Sequence, residues 1–154
     1  MLKAKKRIQA FYKDIQDTIK DHKRMVLAVH GDRSIDGSPY AFSYTIGNHE
    51  RGLPELLVIG SIKGTYLNEM SERMIKQGKA FDHGEVIETN GKYRIKIINA
   101  TYEAHENYTI QAGVYYKTQD YKVQQIILSD EEGRLPGEVG CAPGFADIPI
   151  LVAG

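Results

Sequence analysis

The residues through which this chain could do chemistry are five histidines, one cysteine, ten tyrosines and a scatter of carboxylates. Metal binding needs ligands that converge. His22, His30, His49, His83 and His105 include no H-x-x-x-H pair and meet no C-x-x-C motif. Asp82-His83-Gly84-Glu85 and His105-Glu106 are neighbours in sequence, which on a strand means opposite faces. A structural or surface role is the better reading of all five. His30-Gly31-Asp32 stands apart because it falls at a strand end, where reactive groups are often held. Cys141 lies between Gly140 and Ala142 in a flexible Gly/Pro segment, with no cation near it to favour a thiolate. No G-x-S-x-G elbow is present. The segment from Gly60 to Thr65 joins a strand to a helix but lacks the Gly-Lys-Ser/Thr ending of a phosphate loop. We expect no metal, no cofactor and no recognisable catalytic set.

Tyrosine is the distinctive residue, with ten copies and no tryptophan. Tyr40 and Tyr44 share one face of a strand by period, and Tyr102, Tyr108, Tyr115, Tyr116 and Tyr121 fall within twenty residues. A tyrosine offers a flat apolar ring with a polar tip, suited either to packing in a sheet or to stacking on a ligand ring.

Several elements must position these residues. Ile8, Phe11, Tyr12, Ile15 and Ile19 recur at helical spacing and predict an amphipathic helix over residues 4–22. Strands are expected at 25–30, 40–46 and 56–59, with a turn-rich loop at 31–39 and a polar one at 47–54. Leu67, Met70, Met74 and Ile75 predict a second helix over 63–77. Strands at 85–89 and 92–98 flank Asn90-Gly91, the strongest hairpin signal in the chain. Residues 107–117 are ambiguous, with Tyr108, Ala112, Tyr115 and Tyr116 able to line a helix face. A last strand follows at 122–128, then a Gly/Pro-rich tail. Hairpin-length links dominate, so the expected fold is α+β: one domain, an antiparallel or mixed sheet, an N-terminal amphipathic helix and one or two further helices. Residues 1–24 are read as a basic helix belonging to the same domain as residues 25–154.

A chain of 154 residues buries enough surface for one domain without disulfides. Twenty basic and twenty acidic residues cancel, which argues against a general nucleic-acid binder. The first apolar run, Met25 to Val29, is far too short to span a bilayer, and we expect neither a signal peptide nor membrane association. One cysteine fits a cytoplasmic protein. Charge is uneven: residues 1–24 carry eight Lys/Arg against three Asp, and residues 129–154 carry five acids against Arg134. Segments of opposite sign attract within a monomer or across a homo-oligomer, and a dimer or higher assembly is expected on this ground.

The stretch from Tyr40 to Gly60 resembles the signature of the domain of unknown function 4262 family, in which an aromatic precedes Tyr-Thr-x-Gly, then Gly-x-Pro-Glu-Leu, then a strand ending in Gly. Phe42, Tyr44, Thr45, Gly47, Gly52, Pro54, Glu55, Leu56 and Gly60 carry the likeness. Leu67-Asn68, Tyr115-Tyr116, Gln125, the run from Asp130 to Pro136 and the ending from Ile148 to Leu151 extend it over most of residues 25–152. Asn48 stands where the family usually has Leu, and Gly137 where it usually has Trp. The resemblance implies a shared fold and a set of positions; it implies no reaction.

Three functions are weighed. The first is a non-enzymatic binding protein for a small, partly aromatic ligand, nucleotide derivatives included, such as a bacterial or phage protein sequestering a nucleotide signal would be. Its candidate ligand-binding residues are Tyr44, Thr45, Asn48, Glu55, Tyr115, Tyr116 and Asp130. The two central strands carry Tyr44 and Glu55 near the ends joined by the loop 47–54, and a late strand pairing beside them would bring Asp130 to the same rim. The second is a hydrolase using His30, Asp32 and Glu55, which must converge within hydrogen-bond reach. The third is a protein-interaction module presenting an edge strand or the basic helix. Glu55 also has a plain structural reading, as the partner of Arg51 or of a backbone N–H.

Overall fold

Apolar residues at helical spacing in the first twenty-two positions, followed by short β-branched runs, fold as a helix laid on a sheet. The computed structural model describes residues 2–30, 40–60, 64–89 and 93–153. α1 (Leu2–His22) enters β1 (Met25–Val29), which forms a sheet with β2 (Phe42–Ile46) and β3 (Glu55–Ile59). α2 (Thr65–Gln77) then leads into β4 (Glu85–Glu88) and β5 (Arg94–Asn99). The short helices α3 (Glu103–Asn107) and α4 (Ile110–Tyr116) precede β6 (Val123–Leu128), and the tail holds one turn of helix, α5 (Pro143–Ala146). The ambiguous segment 107–117 is therefore helical, broken after Asn107.

Among the described residues, six strands make one mixed sheet in the order β1-β2-β3-β6-β5-β4. The pairs are antiparallel except β3 with β6, where Glu55 lies opposite Val123 and Val58 opposite Ile126. The α+β fold expected from the link lengths is present. Asn90-Gly91 lies outside the described residues; the strands on either side pair antiparallel, Glu85 opposite Ile97 and Glu88 opposite Arg94.

Period-two alternation sorts the core into two layers. Phe42, Tyr44, Leu57, Ile59 and Val123 face α1, α3 and α4, joined there by Ile15, Ile19, Ala112 and Tyr115. Leu56, Val58, Ile95, Ile97 and Ile126 face α2, which buries Leu67, Met70 and Met74 against them. α1 reaches the core only through its second half. Ile15 and Ile19 are buried, whereas Ile8 is 63% exposed.

Strand directions define two ends. The lower end holds Arg24, Gly47, Glu55 and Asn99; the upper end holds His30, Gly60, Arg94 and Asp130. Five-residue strands at about 3.3 Å per residue separate the two ends by roughly 13 Å or more.

Candidate functional site

At the lower end, β2 and β3 are joined by Gly47 and the 3-10 turn Asn48–Arg51. Gly47 has φ 130°, and a Cβ there would stand 2.8 Å from the Lys23 carbonyl oxygen. Only glycine fits that approach and that dihedral. The turn aims three successive N–H groups inward, where Glu55 is wholly buried. One carboxylate oxygen accepts from Asn48 N at 3.2 Å and Thr45 Oγ1 at 2.7 Å. The other accepts from Gly47 N at 3.2 Å, His49 N at 3.1 Å and, by a short bond, the Tyr116 hydroxyl.

Proton directions follow from the neighbours. Thr45 Oγ1 already accepts from Leu56 N at 2.9 Å and Asn48 Nδ2 at 3.3 Å, so its hydrogen goes to Glu55. Tyr116 Oη accepts from Gly47 N at 2.6 Å, so its proton also goes to Glu55. Five donors thus converge on one side chain that has nothing left to donate to. Burial pushes the Glu55 carboxyl above its ordinary range, and the bonds from Tyr116, Thr45, His49 and Gly47 pull it back. Burial beside the Glu55 charge pushes the Tyr116 phenol well above its usual range.

The network continues outward. Asn48 Nδ2 donates to Ser71 Oγ at 3.0 Å, and Asn48 Oδ1 accepts from the buried Arg24. Arg24 also reaches Asn68 at 3.1 Å and Glu72 at 2.7 Å. The Arg24 bond holds the Glu72 carboxyl below its usual range. A buried, fully satisfied polar network of this kind rigidifies a strand–turn–strand unit. Its groups are engaged in holding the loop.

The structure thus brings four of the sequence-predicted residues together: Thr45, Asn48, Glu55 and Tyr116. Arg51 is not the partner of Glu55; the turn backbone takes that place. Tyr44 points to the opposite face of its strand from Thr45, is buried in the α1/α4 layer, and accepts from Gln111 N at 3.1 Å. Tyr115 packs on Tyr12 with ring centroids 4.8 Å apart, and burial pushes its phenol up to about 12. Asp130 is at the other end of the sheet. β6 runs parallel to β3, so its exit lies at the upper end rather than beside Glu55. There Asp130 accepts from Glu132 N, Arg134 N and Ala142 N at 2.8–2.9 Å and from Arg134 Nε at 3.2 Å. Desolvation acts against the Asp130 charge, but these bonds outweigh it and bring the carboxyl down to about 2. Of the hydrolase set, Asp32 lies outside the described residues, and His30 and Glu55 are at opposite ends of the sheet. Residues 61–63 of the loop between Gly60 and Thr65 also lie outside them. Among the described residues, no group of three or more His, Cys, Asp or Glu could hold a metal ion.

A concavity exists at the upper end instead. A cavity of about 390 Å³ opens where β3 and β6 finish side by side. Tyr66 from the first turn of α2, Tyr93 and Phe145 supply rings; Arg94 and Glu131 supply charge; Ile148 closes one wall. The carboxyl ends of adjacent parallel strands are where open α/β sheets bind ligands, because the connections diverge there and leave a crevice. The tail forms one wall because it is fastened on both sides: Ala142 N binds Asp130, while Gln125 binds Pro149 O at 2.7 Å and Leu151 N at 2.8 Å. Gly60 has φ 94°, and a Cβ there would lie 2.4 Å from Ile148 Cδ1. Arg94 donates through Nε to Gly133 O at 2.8 Å and through one Nη to Glu138. A guanidinium carries five N–H groups, so among the described residues three are left for another acceptor.

Sequence reasoning missed Tyr66, Tyr93, Arg94 and Phe145. No local pattern marks them, since they meet only once β6 is placed parallel to β3. The signal closest to them was a strand ending in glycine before a helix, at Gly60.

A family model described as "Domain of unknown function (DUF4262)" matches residues 18–142. No curated protein and no solved structure matches the chain.

Proposed function

The chain belongs to the domain of unknown function 4262 family, and on that premise we propose that it is a binding protein for a small, partly aromatic molecule held in the cavity at the upper end of the sheet. The observation that carries this reading is the cavity's lining. Three rings, Tyr66, Tyr93 and Phe145, stand around a volume of about 390 Å³, with the Arg94 donors that no described residue takes at its side. That volume suits a small ligand, and rings with a few fixed polar groups are its usual lining. A planar ring bearing an anionic group meets both features, and a nucleotide derivative is such a molecule. Catalysis is not part of the proposal, because the buried carboxylate nearest to a catalytic group, Glu55, has its lone pairs filled from within.

Native mass spectrometry of freshly purified protein tests the reading, followed by thermal-shift titration with adenine and guanine nucleotides. A co-purified small molecule, or a saturable shift that Phe145→Ala abolishes, is the expected result. Binding that survives both Phe145→Ala and Tyr66→Ala in folded protein would overturn the site.

A further inference from the structure

The first half of α1 carries its charges in an order that the helix dipole disfavours, although the last turn, with Lys20 and His22, suits it. The N-terminal end of a helix attracts anions and the C-terminal end cations. The first turn of α1 holds no acid, and residues 2–13 contain Lys3, Lys5, Lys6, Arg7 and Lys13 with no acidic residue at all. The acids Asp14, Asp17 and Asp21 come in the second half. Lys3, Arg7, Ala10, Asp14, Asp17 and Asp21 follow one another at intervals of four, three, four, three and four. That is a single stripe along the helix. All six are exposed, and none of the five charged ones has an ion-pair partner among the described residues.

The stripe is complementary to itself. Laid antiparallel on a second copy and centred near residue 12, it sets Lys3 against Asp21, Arg7 against Asp17, and the small Ala10 against Asp14. Each contact occurs twice by the two-fold axis, and the opposed helix dipoles also attract. Beside the stripe lies apolar surface that the monomer leaves open. Ile8 is 63% and Val114 54% exposed, and a groove of about 380 Å³ between α1 and α4 is lined by Ile8, Phe11, Ile15, Val114 and Tyr115. Arg7, a member of the stripe, also lines that groove, so the two surfaces adjoin along one flank of α1.

We propose that the outer face of α1 is a homodimer interface, formed by antiparallel pairing of α1 with α1 of a second copy in the register Arg7 to Asp17. The occupant is another copy of this chain because the charge order of the stripe is complementary to itself, as an isologous contact requires.

Charge exchange tests the register. Sedimentation velocity is run on wild type, Arg7→Asp, Asp17→Arg and the double variant Arg7→Asp/Asp17→Arg, at about 50 mM and about 500 mM salt. All four keep Ile15 and Ile19, and circular dichroism checks that each is folded. The wild type is expected to dimerise, more tightly at low salt. Each single reversal replaces two attractive contacts with two repulsive ones and weakens the dimer about tenfold or more. The double variant restores it, because Asp at 7 then meets Arg at 17. A wild-type monomer at low salt up to about 100 µM overturns the proposal. So does a dimer indifferent to both single reversals, or a folded double variant that does not recover.

Discussion

Replacing Glu55 by glutamine tests whether the lower network is a structural device. The amide keeps one accepting oxygen and exchanges the other for two N–H donors. Its oxygen is best placed on the side of Gly47 N, His49 N and Tyr116 Oη, where three donors converge. The NH2 group then faces Asn48 N–H and Thr45 Oγ1, which had donated at 3.2 and 2.7 Å. Thr45 can turn its hydroxyl to accept, but it already accepts from Leu56 N and Asn48 Nδ2. Asn48 N–H is left unpaired inside the protein. One buried orphan donor costs about 1–3 kcal/mol, and one weakened hydroxyl contact adds about 1 kcal/mol. Removing the cost of burying a charge returns part of that. A net loss of about 2–3 kcal/mol is expected for Glu55→Gln, with an unchanged m-value in urea unfolding. Thr45→Val, which deletes the hydroxyl linking Glu55, Leu56 and Asn48, is expected to lose a similar amount. The two are in contact, so their double variant is expected to lose less than the sum. A Glu55→Gln protein within about 0.5 kcal/mol of wild type would refute the five-donor argument. Loss of ligand binding in a stable Glu55→Gln protein would return Glu55 to the candidate site.

Other expectations follow from single observations. Ile15→Ala is expected to cost about 2–5 kcal/mol because the side chain is 1% exposed, whereas Ile8→Ala at 63% exposed leaves monomer stability within about 0.5 kcal/mol; urea unfolding at low protein concentration separates them. Gly60→Ala is expected to destabilise by about 1–3 kcal/mol, from the positive φ and the contact with Ile148, and Ile148→Ala in the same chain recovers only the contact part. Asp130, with its carboxyl held down to about 2, stabilises the tail above the ordinary carboxylate range near pH 4 and loses that contribution as pH falls toward 2. Hydrogen exchange at residues 132–142 should rise over that window, and Asp130→Asn should raise it at neutral pH; unchanged protection in both would count against the tail's attachment through Asp130.

Local pattern was enough for the elements of this protein and for reading Thr45 and Glu55 as polar groups in need of partners. The stripe Ile8 to Ile19 announces α1, Leu67 to Met74 announce α2, and the alternating runs announce the strands, because helix and strand periods are written into which residues turn inward. Thr45 and Glu55 were likewise legible as polar groups on or beside apolar strands, where buried polar groups need partners. Asn48 and Tyr116 read beside them as ligand contacts, and their bonds to Glu55 emerge only in the tertiary structure. What pattern left open is direction. A strand that follows two helices and a hairpin pairs equally well in either sense by its own composition, so the sequence places Asp130 at the rim beside Glu55, and only the parallel pairing of β3 with β6 moves it to the other end. Ile8 likewise reads as core by spacing, yet the sheet beneath α1 ends before reaching it. The cavity among Tyr66, Tyr93, Arg94 and Phe145 is decided wholly by tertiary structure, since it exists only where strand ends, a helix start and the fastened tail meet. Periodicity records which side of an element faces inward; which elements meet at its ends is set by packing among segments far apart in the chain.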